Sequence, residues 1–504
     1  MLDYLGNGGG RFAAIGLAST LALSGFACGD DDEDEVMRDA GRDHGHGDAG
    51  GDGDVNDLDR LTRVLETNAE IARAAYGDSI STAGDLKRAI QDLVDSPSVM
   101  TLEAAREAWL VAREPYGQTE VYRFRASPID DTNYDASDGE DGPEGDINAW
   151  PLGEALIDYV KTGDDFGDDQ VGVTEHMTGV EDPIPDNNII NSTAIEIDAD
   201  LLAGTATAED EHDVIAGYHA IEFLLWGQDL NEDGSADTLD ARDATPGDRP
   251  YTDFLATDDC TSGTDGSDAV ICERRGTYLL VAVDKLIADL ESVRDGWRSG
   301  SDYYEAFTKP GDLSEGKQRL LEILTGMGTL SEGELGGERM QIALSANSQE
   351  DEHSCFSDNT HRDIVLNAQG VLNAFTGVYA GYDSTLDGSA DQDGSAVDGY
   401  GLDDYLDDVG LSDLAAEVAA ALAKTQQAYD AIDANARTGK PVDVVIQDAG
   451  GDDAKPMRDT IVALNAQSAQ FVKIAVALEV GEADDVVDPE ASACDTLDPT
   501  NECD

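Results

Sequence analysis

Basic side chains are scarce in this chain of 504 residues. Its 31 lysines and arginines stand against 108 aspartates and glutamates, a formal net charge of −77. That shortage excludes nucleic-acid binding, because phosphate contacts need a basic surface. Acidity this global suits cation attraction or solubility in salty water and by itself marks no site. Aromatics make up only 6%, but 40% hydrophobic residues exclude wholesale disorder. Beyond the first residues, no stretch reads as long and apolar enough for a transmembrane helix. Also absent are a Gly-x-Ser-x-Gly elbow, a phosphate-binding glycine loop and a cysteine-nucleophile context. The length allows two or three domains with real cores.

Residues 1–28 read as an export signal. Arg11 precedes an apolar run from Phe12 to Leu23 that is too short to span a bilayer well. Leu23-Ser24-Gly25-Phe26-Ala27-Cys28 resembles a bacterial lipobox, although Phe26 is bulky and Gly25 stands where leucine is usual. Lipidation of Cys28 would anchor the protein without spanning the membrane; ordinary signal cleavage is the alternative. The expected location is the periplasmic side of the outer membrane or the cell surface. Residues 29–56 are rich in Asp and Gly, with His44 and His46 among them. Repelling charges and glycine predict an extended, disordered tether.

From Asp57 the pattern is helical. Leu58, Leu61, Val64, Leu65 and Ile71 recur at helical spacing, followed by helices over 84–94 and 102–112. Later helices are predicted over 154–160, 275–297, 320–330, 364–380, 411–434 and 456–478. The fold class is therefore all-α: two helical-bundle domains, 57–273 and 274–480, with acidic loop insertions and an acidic, loose tail at 481–504.

The richest stretch is Gly217-Tyr218-His219-Ala220-Ile221-Glu222-Phe223-Leu224-Leu225-Trp226-Gly227-Gln228-Asp229. On a helix, His219 and Glu222 share a face, and an imidazole nitrogen with a carboxylate oxygen there can bind a borderline transition metal. The apolar neighbours imply burial, so the acid needs a partner. Either the two residues satisfy each other in a core, or they hold a metal.

The stretch resembles the imelysin family, also called the M75 peptidase-like or iron-regulated protein A family. Further segments carry the likeness: Trp109 to Glu120, Gly145 to Leu152, Arg249-Pro250-Tyr251-Thr252-Asp253, and Ser345 to Ile364 with its Asp-Glu-His-Ser-Cys-Phe-Ser-Asp-Asn-Thr-His run. It covers most of residues 57–480. The resemblance implies an all-helical periplasmic or outer-membrane protein of two helical bundles, associated with iron uptake, and it carries a peptidase label.

Other residues bear on a site. Arg113 and Glu120 flank Pro115, which should kink its helix; a cavity and a structural salt bridge are both open. Glu352, His353, Asp358 and His361 are ligand-type residues in a polar run between apolar helices, which favours a pocket, with helix capping by Asp358, Asn359 or Thr360 as the alternative. Asp229, Asn231, Asp233, Ser235, Asp237 and Asp240 have the spacing of an EF-hand-like calcium loop, with Gly234 at its sixth position; a plain acidic turn is the alternative. Cys260 with Cys272, and Cys494 with Cys503, are candidate disulfides in an exported protein, leaving Cys355 as a thiol.

Three functions follow. The first is binding of iron, or of an iron chelate attracted by Arg113, with iron-transport proteins as partners. The second is a metallopeptidase, against which stands Phe223, where H-x-x-E-H requires a second histidine. The third is a non-catalytic, calcium-stabilised surface binding protein.

Overall fold

Residue patterning accounts for the helices in the computed structural model, which describes residues 57–134, 141–160, 188–203, 214–232, 241–261, 269–349, 351–488, 494, 498–499, 501 and 503. Eight helices dominate: α1 (Asp57–Asp95), α2 (Val99–Tyr116), α3 (Gly217–Trp226), α4 (Ala269–Gly296), α5 (Leu313–Thr329), α6 (Thr360–Thr376), α7 (Ser412–Arg437) and α8 (Lys455–Leu478). The export signal, Cys28 and the acidic tether lie outside the described residues.

Two expected helices merge into α1. Its apolar stripe runs from Leu61 to Leu93 without a break. The hydroxyls of Ser79 and Thr82 donate back to the carbonyls of Ala75 and Asp78, so the polar middle of the helix is satisfied internally. Pro115 does not break α2. The helix ends one residue later and tightens into a 3-10 turn, Gly117–Tyr122. The capping box of Ser98 and Thr101 starts α2.

The helices form two groups. In one, α1 packs on α2 and α4, and α3 lies against α2 and α4. In the other, α8 packs on α7, α5 and a π-helix at Leu330–Ile342, while α6 packs on α7. The expected boundary at 273/274 falls inside α4, and residues 54–504 cluster as one unit. The 3-10 turn, the π-helix and α6 pack together across the two groups.

Helix α8 is apolar and long enough to cross a membrane by length and composition, but Ile461, Leu464, Phe471 and Ile474 are buried within the bundle. The loop expected over 383–400 contributes a strand. Val397–Asp398 pairs antiparallel with Val378–Tyr379, which ends the segment expected to continue α6. The described start of the tail is tied down rather than loose: Val486 is buried, and the Thr325 hydroxyl donates to the Asp485 carbonyl. Cys260 is bonded to Cys272 and Cys494 to Cys503, and Cys355 is a free thiol.

Candidate metal centre

Helix α3 is held from both ends, and every one of its residues is buried. Gly217 adopts φ +82°, and a Cβ there would meet the Ile147 carbonyl oxygen at 2.4 Å, so only glycine fits this close approach. The Trp109 indole donates to the Tyr218 carbonyl at 2.9 Å and the Tyr278 hydroxyl to the Ile215 carbonyl at 2.7 Å. At the other end, Arg106 donates to the last-turn carbonyl of Leu225 at 3.0 Å, satisfying a helix terminus that would otherwise be orphaned.

This anchoring presents His219 and Glu222 to a buried polar network. His219 Nδ1 lies 3.0 Å from Glu222 Oε2. The other Glu222 oxygen accepts from the Ser357 amide at 3.0 Å and its hydroxyl at 2.6 Å. His219 Nε2 is buried with no hydrogen-bond partner among the described residues. Against its ring stands His353, edge to face, with centroids 4.7 Å apart.

His353 is built the same way. Its Nδ1 lies 2.9 Å from Asp363 Oδ2. Asp363 is held in turn by Arg113, whose Nη2 donates at 2.9 Å, and by the Ser354 hydroxyl. His353 Nε2 faces the Asn148 amide at 3.3 Å. The Trp150 ring closes the other side at 4.5 Å. Asn148 links onward: its oxygen accepts from Arg113 at 2.5 Å, and its nitrogen donates to Glu120 at 3.4 Å. Glu120 accepts from Arg339 of the π-helix at 2.7 Å, and Arg339 also donates to Asn367.

The electrostatics sort these groups. Burial, reinforced by His353 and Arg113, drives His219 well below the ordinary imidazole range. Burial and Arg339 lower His353 to about 4. Both rings are therefore neutral, the form that binds metals. Burial raises Glu222 to about 8, despite the two bonds from Ser357. For Glu120 burial opposes ionisation, but Arg339 and Arg123 outweigh it and hold the acid at about 2. Asp363 also stays ionised against its burial, through Arg113 and His353.

An imidazole with a carboxylate on Nδ1 keeps its Nε2 lone pair for a metal. In this geometry Glu222 faces His219 and Ser357, and it is His219 that keeps an atom, Nε2, without a hydrogen bond among the described residues. Ser357 and Glu222 are joined across the chain, so the polar run after Ser345 does turn towards the motif helix.

Arg113, Glu120, His219, Glu222 and His353 come together here. Glu352 and His361 do not. Glu352 is buried elsewhere, among groups that include Asp443 and Asp358. His361 Nδ1 is 3.0 Å from the Asp358 carbonyl, and Nε2 is 3.6 Å from Asp433. It lines a cavity of about 310 Å³ together with Ser357, Arg362 and Glu114. The capping expected of Asn359 is absent: its side chain makes no cap bond. Thr360 instead accepts from the Ser354 amide.

Of the calcium-loop residues, Asp229 and Asn231 are described, and Asn231 accepts from the Asp243 amide at 2.9 Å. Asp233, Ser235, Asp237 and Asp240 lie outside the described residues. Asn148, Asp363, Ser357, Arg339 and Asn367 were not singled out from sequence. The first three lie in motif segments; a buried arginine among Gly333, Gly336 and Gly337 carries no local signal of its role.

The sequence profile of the imelysin (peptidase M75) family matches residues 72–471. The chain belongs to the imelysin family. Iron-regulated protein A of Synechococcus elongatus is 31% identical over 98 residues, spanning 18% of this chain and 24% of that protein. The match thus covers about a quarter of the relative's length. A solved structure named for an iron-regulated protein A precursor from Parabacteroides distasonis is 17% identical, with a TM-score of 0.50, and covers 86% of this chain and 97% of its own. An imelysin-like protein from Psychrobacter arcticus is 15% identical at a TM-score of 0.49, over 85% and 98% of the two chains. The first of these likenesses speaks for a shared imelysin-like, all-α fold.

Proposed function

We propose that this imelysin-family protein binds iron, as an ion or as an anionic chelate, at the His219/His353 pair. One observation carries the reading: two buried, neutral imidazoles stand edge to face, each with a carboxylate at Nδ1, and His219 Nε2 is left unsatisfied. A buried nitrogen of that kind is costly unless something coordinates it. The names of the relatives connect them to iron regulation, which makes iron the first metal to test.

The donor set supports an incomplete shell. Two imidazoles are too few to hold a metal tightly. A cargo that brings its own oxygen ligands would complete the shell. Loss of iron binding in His219→Ala, with an unchanged helical spectrum, tests the reading; unchanged affinity would remove it.

The reading extends to an exported protein, lipid-anchored through Cys28, passing its cargo to iron-transport proteins. Labelled fatty acid incorporated by the wild type and not by Cys28→Ser tests the anchor. The peptidase reading is weaker. A zinc peptidase needs a free general base near the metal, and both Glu222 oxygens are engaged, by His219 and Ser357. Casein cleavage abolished by Glu222→Ala would restore it.

A further inference from the structure

Asp229 leads away from the motif helix, Asp358 follows Ser357, and Asp443 lies on the short helix Val442–Ile446. These three segments are remote in sequence, yet each acid offers an oxygen within 4.8 Å of the others. Asp229 and Asp443 are buried and Asp358 half-buried.

A fourth acid points to a ligand independently. Glu352 is 1% exposed, and neither of its oxygens reaches a donor at hydrogen-bonding geometry among the described residues. The groups that face it are Asp443, Asp358 and the Thr360 hydroxyl. Glu352 therefore stands against the cluster.

Arg242 is the cation that acts on Glu352. It donates to the Asn347 side chain at 3.0 Å and the Asp443 carbonyl at 3.1 Å. Carboxylate oxygens brought this close together are what a hard divalent cation binds.

We propose that Asp229, Asp358 and Asp443, with Glu352 beside them, form a site for a hard divalent cation of the calcium type, separate from the histidine pair. The all-oxygen donor set excludes a preference for soft metals. Side chains arriving from separate segments suit the adaptable coordination of calcium better than the strict octahedron of magnesium. The site shares Asp229 with the loop over 229–240, but its other ligands come from far along the chain.

The test is calcium titration of the full mature protein by calorimetry, at an ionic strength that screens the exposed acids, alongside thermal unfolding. The wild type should bind one calcium tightly and unfold higher in its presence. Glu352→Gln and Asp443→Asn should each weaken that event at least tenfold, while Asp237→Asn leaves it unchanged. Glu352→Gln is isosteric and cannot ionise to meet a cation. In calcium-free buffer it should unfold no lower than wild type, and in excess calcium lower, so that the order inverts. Absence of a saturable event, wild-type affinity in both variants, or loss in Asp237→Asn alone would overturn the assignment.

Discussion

The Ser357 hydroxyl donates to Glu222 Oε1 at 2.6 Å, although the two stand 135 positions apart in the chain. The Ser357 amide donates to the same oxygen, so the proton that burial keeps on Glu222 up to about pH 8 is better placed on Oε2, which faces His219 Nδ1. A metal on His219 Nε2 requires the proton on Nδ1 and the carboxylate charged, so coordination expels one proton from the pair.

Iron affinity should therefore depend on pH. Below about pH 8 each bound ion releases one proton from this pair, and affinity rises about tenfold per pH unit. Above that value the slope disappears. Calorimetry in buffers of different ionisation enthalpy would count the proton, and Glu222→Gln should abolish the release.

Loss of Ser357 should act through Glu222. Ser357→Ala removes a hydrogen bond to an ionisable group, worth about 1.5–3 kcal/mol, and favours the protonated acid further. Iron affinity should drop roughly tenfold, with the proton-release boundary moved to higher pH. Metal titration across pH checks both.

The two histidines should be required together. His353→Ala is expected to weaken iron binding as strongly as His219→Ala, and the double variant to be little worse than either. Additive losses in a double-mutant cycle would show instead that the rings act separately.

Glu120 should contribute to acid stability. Its folded pKa of about 2 lies below the ordinary 4.5, so the contribution is fully present above pH 4.5 and is lost as pH falls through 2. Its size is about 3 kcal/mol. Glu120→Ala leaves Arg339 buried without its nearest acid and should cost about 3–5 kcal/mol near neutrality. Urea unfolding at several pH values would measure both effects.

Gly217→Ala should damage the start of the motif helix. Its φ of +82° and the Ile147 carbonyl at 2.4 Å leave no room for a methyl group. A loss of about 1–3 kcal/mol is expected, read from denaturant midpoints, with iron binding weakened because His219 shifts.

Helical periodicity identified nearly every long helix, because burying one face of a helix writes a regular apolar stripe into the chain. It divided α1, whose small, polar middle hides the stripe although Ala72, Ala75 and Ala83 remain buried. The π-helix had no signature, since its extra residue per turn is stabilised by packing and by Arg339.

Sequence alone determined the all-α class and the motif helix and named most of the candidate side chains, since these rest on local pattern. Only the tertiary structure decided which of them meet. Glu352 and His353 are neighbours in sequence, yet one stands against Asp358 and Asp443 and the other against His219. Between α6 and the preceding helices the chain follows no repeating geometry, so side-chain direction there is set by packing rather than by spacing. Asp363, Asn148 and Arg339 entered the site for the same reason: a buried imidazole or acid must find partners wherever the fold brings them, at any separation along the chain.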